Sequence, residues 1–427
     1  MVEPNGMTLK QKHAINEKTK NASKRVYSAM IINQKNILPL CLLLAPLIAL
    51  GMDLYTPSLP AIMNYFHVTH YGAKLTIILY LAGFGLSQPL VGIVSDHMER
   101  KNFILIALGC YVISSFLSAL VPSIQWLYFL RIINSVCATS VAVVIKSIIL
   151  DNFSGKMLAK ANNYFTLSWS MTPMIAPVIG GYLQHYFNWQ ANFYFMAIYG
   201  LIGFVLCFEL FKNQPQRLST KKVLSLSRVF QKWKILFLDH FFVAAIFILA
   251  VENAILFLYY TAAPFIIQNT LHFNAAQYGN VMLFAGASYL VGNLINDRLL
   301  NYFSVEKLIG VGLLLSLVIP LIPILITSLI HHPMNIYLVT LPIFMIFMCD
   351  GLIFANLATK SLSSYKEFSG IAGGLLAGLF NVLAAVIVGV CAHMLDLHNI
   401  ITLNETYFIM LCISCIVFFF CFKREAT

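Results

Sequence analysis

Residues 37–60 read ILPLCLLLAPLIALGMDLYTPSLP, twenty-four positions carrying a single charge, Asp53. A helix crosses a bilayer with roughly 20 mostly apolar residues, so this stretch is long enough to span. A carboxylate within hydrocarbon costs on the order of 3 kcal/mol or more, and acids kept at that depth usually line a polar pathway. The stretch therefore predicts a membrane helix with a polar task at Asp53.

The rest of the chain agrees with a membrane class. Of 427 residues, 59% are hydrophobic and 10% charged. An ordinary soluble domain carries roughly 25% charged residues, so one soluble core is excluded. Eleven further apolar stretches follow, at 73–95, 103–121, 124–150, 159–186, 191–211, 241–268, 275–295, 307–330, 334–359, 370–395 and 401–422. Their lengths suit helices, and they lack the short polar–apolar alternation of barrel strands. The expected fold is all-α, with twelve transmembrane helices.

The net charge of +11 raises the question of a polyanion partner. With the N-terminus placed inside, every Lys and Arg of the 27 except Lys74, Arg131 and Lys146 falls at an inner segment. That bias is the positive-inside pattern; it predicts cytoplasmic termini and removes any need for nucleic acid. The basic residues 1–36 suit the first part of a signal peptide, but the apolar run continues past any cleavage site. The nine cysteines form no paired CxxC sets, so neither a disulfide framework nor a zinc site is expected.

Residues 212–239 form a basic connection that divides six spans from six. The expected organisation is a tail (1–36), a first bundle (37–211), the middle loop (212–239), a second bundle (240–422) and a short tail (423–427). Weak internal symmetry at an offset near 200 pairs Gly92 and Asp96 with Gly292, Asn296 and Asp297, and Asp53 with Glu252. Two pseudo-symmetric six-helix bundles with a site between them are a common plan for secondary transporters.

Several motifs resemble the major facilitator superfamily, and within it the Bcr/CflA-type drug/proton antiporters. Asp53-Leu54-Tyr55-Thr56-Pro57-Ser58-Leu59-Pro60 is similar to that family's first-span signature, Asp-x-Tyr-x-Pro-x-x-Pro. The run from Gln88-Pro89 through Gly92 to Asp96 resembles its loop motif after the second span. Arg131 opens a stretch similar to the fourth-span motif, and Pro173 to Gly181 resembles the fifth-span antiporter motif. Trp189 with Phe193, the run Tyr260-Thr261-Ala262-Ala263-Pro264-Phe265 and Gln277-Tyr278-Gly279 also match family features. The chain departs from the pattern at His97, Glu99, Asn134, Ser135 and Gln190. The resemblance implies a twelve-helix transporter that alternates between inward- and outward-open states.

Each candidate residue has a functional and a bland reading. Asp53 is a carboxylate that takes up and releases a proton, or a structural acid that caps a neighbouring helix. Arg131 keeps its charge at any working pH; it either meets Asp53 at similar depth or snorkels to the outer interface. Glu252 and Asp350 line a cavity and receive a cationic group, or make packing contacts. Tyr55, Tyr80, Trp169, Tyr259 and Tyr260 supply aromatic faces for lipophilic cations, or ordinary packing. Pro173, Pro177, Gly180 and Gly181 form a kinked, tightly packed hinge, or merely a close helix contact. Gln88, Gly92, Asp96 and Arg100 form a conformational latch, or a solvated helix end.

No GxxxxGK[ST] loop and no GxSxG elbow occurs, so neither direct ATP use nor serine-type hydrolysis is indicated. The expectation is not an enzyme but a proton-coupled exporter of small amphipathic compounds or drugs. It would work as a monomer in the bacterial inner membrane, without a cofactor. A transporter of one metabolite, such as a siderophore, sugar or amino acid, is the alternative; a signalling membrane protein is a third.

Overall fold

In the computed structural model, residues 34–212, 226–330, 335–395 and 400–425 are described. They form twelve membrane-length helical elements and no strand among the described residues. In order these are the first helix (Ile37–Phe66), the second (His70–His97), the third (Arg100–Ser118), the fourth (Ile124–Asn152), the fifth (Gly155–Tyr186) and the sixth (Trp189–Phe211). The second set comprises the seventh (His240–Thr270), eighth (Ala275–Leu299), ninth (Val305–Leu329), tenth (Ile336–Ser363), eleventh (Lys366–Met394) and twelfth (Ile401–Cys421). Ten are long and apolar enough to cross a membrane by composition. The fifth and eighth are long but more polar, and they pack against each other.

The turns carry their own start signals. Thr69, Asn188, Asp239, Asn274, Ser304 and Asn335 each accept a hydrogen bond from a backbone N–H of the following turn. Such caps satisfy donors that a helix leaves open, typically for about 1 kcal/mol. Asn274 and Gln277 complete a reciprocal capping box.

The first helix differs from the uninterrupted span expected over 37–60. It runs on to Phe66 and is broken twice, into Gln34–Leu44, Leu47–Asp53, a single 3-10 turn at Thr56–Ser58, and Leu59–Phe66. Prolines cause this, since each lacks an N–H and its ring clashes with the preceding turn. Pro46 sits at the first break, and Pro57 and Pro60 follow the second. Asp53 is the last residue before the second break.

The middle connection also differs from a plain loop, because Leu226–Leu238 is helical. It buries Val229 and Leu236 and sets Lys232 over the Phe368 ring at 4.8 Å. Tyr365 donates to the Asp239 carboxylate beside it. Partial burial and that carboxylate both push the Tyr365 phenol above its usual range.

Call the end carrying residues 97–100 and 363–369 the basic end, and the opposite end the far end. The two sets of six meet along two seams, the second helix against the eleventh and the fifth against the eighth. Glycines allow the approach, as small residues do between membrane helices. A β-carbon on Gly85 would overlap the backbone of Gly378 and Val382, and one on Gly279 that of Pro177. Among the described residues, polar and ring contacts also join the two sets at the far end. Gln268 Nε2 donates to Pro57 O at 2.9 Å, His70 meets Phe265, and Tyr71 meets His393. Large apolar side chains such as Leu86, Ile113, Phe284, Val318 and Phe420 point outward, as a lipid-facing surface requires.

Candidate functional site

The break in the first helix builds the centre of the site. Asp53 is 3% exposed there. Arg131, from the fourth helix, is fully buried and donates through Nη2 to the Gly51 carbonyl. A helix interrupted by proline leaves carbonyls of its last turn free to accept from elsewhere. The guanidinium carbon lies 4.3 Å from the Tyr55 ring centroid, 4.2 Å from Tyr80 and 5.8 Å from Phe193. Stacking on aromatic faces suits a planar, delocalised cation, and each contact contributes about 0.5–2 kcal/mol when desolvated. Tyr55 in turn hydrogen-bonds Thr76 at 2.7 Å, and Tyr80 donates to Ile48 O at 3.0 Å. The rings that hold Arg131 are therefore themselves fixed.

Two expectations need correction. Arg131 does not snorkel, because its aromatic sleeve and the Gly51 carbonyl hold it inside. Nor does it pair with Asp53; the described ion pairs are Arg100–Asp151, Lys212–Glu209 and Lys360–Glu306. Its Nε and Nη1 are buried without a described partner. Depth along a helix was readable from sequence, but rotation about its axis was not.

The second set of helices closes the same space. Asp53 lies within electrostatic reach of Tyr80 on one side and of Tyr260 and Tyr278 on the other. Tyr259 and Tyr260 both meet the Phe347 ring edge-on, at 6.1 and 6.4 Å. The hydroxyls of Tyr259 and Tyr407 are buried without a partner among the described residues. Of the aromatics expected at the site, Tyr55, Tyr80, Tyr259 and Tyr260 are gathered here, whereas Trp169 is exposed elsewhere.

Glu252 lies at mid-span on the seventh helix and Asp350 at mid-span on the tenth. Glu252 is 3% exposed and Asp350 half-buried.

The fifth-helix motif packs directly on the break. A β-carbon on Gly180 would overlap the Leu54 carbonyl, and one on Gly181 the Ala275 carbonyl. Pro177 presents its carbonyl to Gly279, and Met174, next to Pro173, fills the space beside Gly286. The motif thus holds the first, fifth and eighth helices together next to Asp53.

The latch candidates are more dispersed. Arg100 pairs with Asp151, tying the third helix to the fourth at the basic end. Gln88 Oε1 is buried without a partner, while a β-carbon on Gly92 would meet open space. Gly92 therefore owes nothing to close packing here. Asp96 is the last residue but one of the second helix, and its side chain lies outside the described residues, as do residues 1–33 of the basic tail.

Sequence reasoning singled out too few polar groups. Lys74 is 1% exposed, over Phe265 at 6.0 Å, with Nζ 3.5 Å from Ala392 O across the far-end seam. Its signal was present, since it is one of three basic residues off the basic end. Asn134 donates to Ser115 at 2.7 Å and to Ser114 at 3.2 Å, and Asn192 to Ser58 at 2.8 Å. Asn134 and Ser135 read as departures from a motif; in the fold Asn134 joins the fourth helix to the third, and Ser135 packs against Gly83 of the second.

A set of membrane-length helices that holds buried charges between its helices marks an integral-membrane protein. The sequence profile of the Major Facilitator Superfamily matches residues 41–389. The chain belongs to that superfamily, and so is a transporter of small molecules rather than an enzyme. It is 24% identical over 343 residues to an uncharacterized transporter of Rickettsia felis, covering 78% of this chain and 84% of that protein. It is 27% identical over 259 residues to the multidrug resistance protein MdtL of a Shewanella species, covering 61% of this chain and 64% of MdtL. With the chloramphenicol resistance protein CraA of Acinetobacter baumannii, identity is 24% over 303 residues, covering 71% and 73%. Among solved structures, a bacterial homologue of the lysosomal transporter Spinster, inward-facing and occupied, superposes with TM-score 0.70. Identity there is 13%, over 91% of this chain and 97% of that one, which is a likeness of fold.

Proposed function

We propose that this chain exports small amphipathic compounds, drugs among them, from the bacterial cytoplasm in exchange for protons. The observation that carries the reading is Asp53, buried at a proline break, without a cation partner, and within reach of tyrosines from both sets of helices. Kinship with MdtL and CraA supports the substrate class. The distribution of Lys and Arg supports cytoplasmic termini, which makes the far end the outer one. The polar and ring contacts between the two halves then lie on the outer side.

The two halves (37–211 and 240–422) rock about the glycine seams, and the basic connection 212–239 joins them. Charge on Asp53 is costly in this dry position, and a proton removes that cost. With the cavity facing out, Asp53 takes a proton. Facing in, a lipophilic cation enters among Tyr55, Tyr259 and Tyr260 and displaces it, since the two positive charges compete for one carboxylate. Arg131 pins the Gly51 turn and so fixes where that carboxylate stands. Pro173, Pro177, Gly180 and Gly181 form the packed hinge beside it, and Gln88, Gly92, Asp96 and Arg100 act at the inner gate. One copy of the chain suffices for this cycle.

The test uses purified protein in proteoliposomes with tetraphenylphosphonium as probe. An imposed pH gradient should drive its uptake against a concentration gradient. Asp53→Asn should abolish that accumulation while leaving exchange of internal for external probe intact. Full gradient-driven accumulation by Asp53→Asn would remove Asp53 from the role.

A further inference from the structure

The helix Leu226–Leu238 has an outer surface that the transport reading does not use. Val229 and Leu236 are buried, and the helix packs on the seventh and eleventh helices at the basic end. Lys232 turns inward over the Phe368 ring. Only Asp239 separates this helix from the start of the seventh at His240. It is therefore fixed beside the ends of two spans.

The remaining surface does not suit water. Phe230, Ile235, Phe237 and Leu238 are each between 51% and 69% exposed, and Arg228 and Lys234 are exposed among them. Phe230, Lys234 and Phe237 follow at i, i+4 and i+7; Arg228, Gln231, Ile235 and Leu238 follow at i, i+3, i+7 and i+10. Side chains at those offsets share a helix face. Each exposed stripe thus sets one cation beside two apolar side chains.

The charge has no internal answer. Residues 212–238 contain seven Lys or Arg and no Asp or Glu. Asp239 is taken: its carboxylate accepts from Phe241 N at 2.8 Å and from Tyr365. The described ion pairs include neither Arg228 nor Lys234. The chain then passes from Leu238 to Val243, 40% exposed on the first turn of the seventh helix, so this surface adjoins the lipid-facing one. Cations without an acid, interleaved with apolar side chains next to a span, match the layer where lipid phosphates meet acyl chains.

We propose that Arg228 and Lys234 bind the phosphates of anionic phospholipids, while Phe230, Ile235, Phe237 and Leu238 sit among the first methylenes of the acyl chains. The helix is an interfacial anchor for the second half, and it prefers anionic headgroups to zwitterionic ones. A zwitterionic lipid also carries a phosphate, but its ammonium cancels the net charge that two cations attract. With cytoplasmic termini, the leaflet is the cytoplasmic one. Neither Asp53 nor the transport cycle takes part in the contact.

Photoactivatable phosphatidylglycerol and phosphatidylcholine, each with a diazirine near the top of an acyl chain, test the anchor. The full chain is reconstituted with one or the other, illuminated, and its adducts located by proteolysis and mass spectrometry. Phosphatidylglycerol should label residues 226–238 more heavily, on the order of tenfold for two cations at the surface. Lipid-facing positions of the third and eighth helices, around Ile113 and Phe284, should be labelled equally by both lipids. Arg228→Gln/Lys234→Gln should remove the preference at 226–238 and leave the labelling around Ile113 and Phe284 unchanged. Equal labelling of 226–238 in wild type, no labelling there by either lipid, or a preference that survives in the variant would overturn the proposal. The wild-type comparison needs no substitution, so it decides even where the variant folds poorly.

Discussion

The two halves solve one problem in opposite ways. In the first half a buried acid lies near a buried arginine, yet the two do not pair. The arginine meets a backbone carbonyl and two tyrosine faces instead, with Nε and Nη1 left without a described partner, and Asp53 stays unclaimed. In the second half two acids, Glu252 and Asp350, sit at mid-span on the seventh and tenth helices, while every Lys and Arg after residue 240 lies toward the basic end. The contrast teaches that a charge can be held inside a bilayer by aromatic and backbone partners, so that the neighbouring carboxylate stays free for a mobile cation.

Replacing the free acid would break the contrast most sharply. Asp53→Asn is expected to abolish accumulation of tetraphenylphosphonium against its gradient in proteoliposomes, with probe exchange retained. The next effect falls on the arginine. Arg131→Lys keeps the charge but not the planar fork that stacks between Tyr55 and Tyr80. Loss of the stacking geometry is expected to slow gradient-driven transport on the order of tenfold, equivalent to about 1.4 kcal/mol, within the range of two desolvated cation–π contacts. Arg131→Lys at wild-type rate would show that charge alone is needed.

A smaller effect compares packing in the two halves. Gly180→Val forces a side chain against the Leu54 carbonyl, and Gly292→Val against the Met348 carbonyl. Overpacking of this kind costs about 1–3 kcal/mol, read as a lower Tm in detergent. Gly180→Val should also impair transport beyond its loss of stability, because it moves the break that carries Asp53. The smallest effect concerns the basic end. Arg100–Asp151 links the third and fourth helices, and Lys360–Glu306, at 2.6 Å, links the tenth and ninth with the charges reversed. Both are partly exposed, so Arg100→Ala or Lys360→Ala should change stability by less than about 1 kcal/mol. Transport rates of these two variants would then show whether either bridge matters to the motion.

Much of the architecture was legible because hydrophobic length and Lys/Arg placement are properties of single segments. Span ends fell within a few residues of the helices, even for the polar fifth and eighth. The break after Asp53 was written in Pro57 and Pro60, but a count of apolar residues passes over it. The helix Leu226–Leu238 was hidden by its basic composition, which reads as a loop until Val229 and Leu236 find a surface. The sleeve around Arg131 was illegible for a different reason. Tyr80 and Phe193 lie 51 and 62 positions from Arg131, and only the packing of three helices decides which faces meet. Lys74 shows the same limit, since its burial depends on Phe265 and the eleventh helix.

Proton release from the purified protein in weakly buffered detergent, on addition of tetraphenylphosphonium, is the most direct measurement of the exchange at Asp53. Wild type is expected to acidify the solution as the probe binds, and Asp53→Asn to bind the probe with a smaller release or none. Probe binding by wild type without acidification, or equal acidification by both proteins, would contradict a carboxyl at residue 53 that trades its proton for substrate.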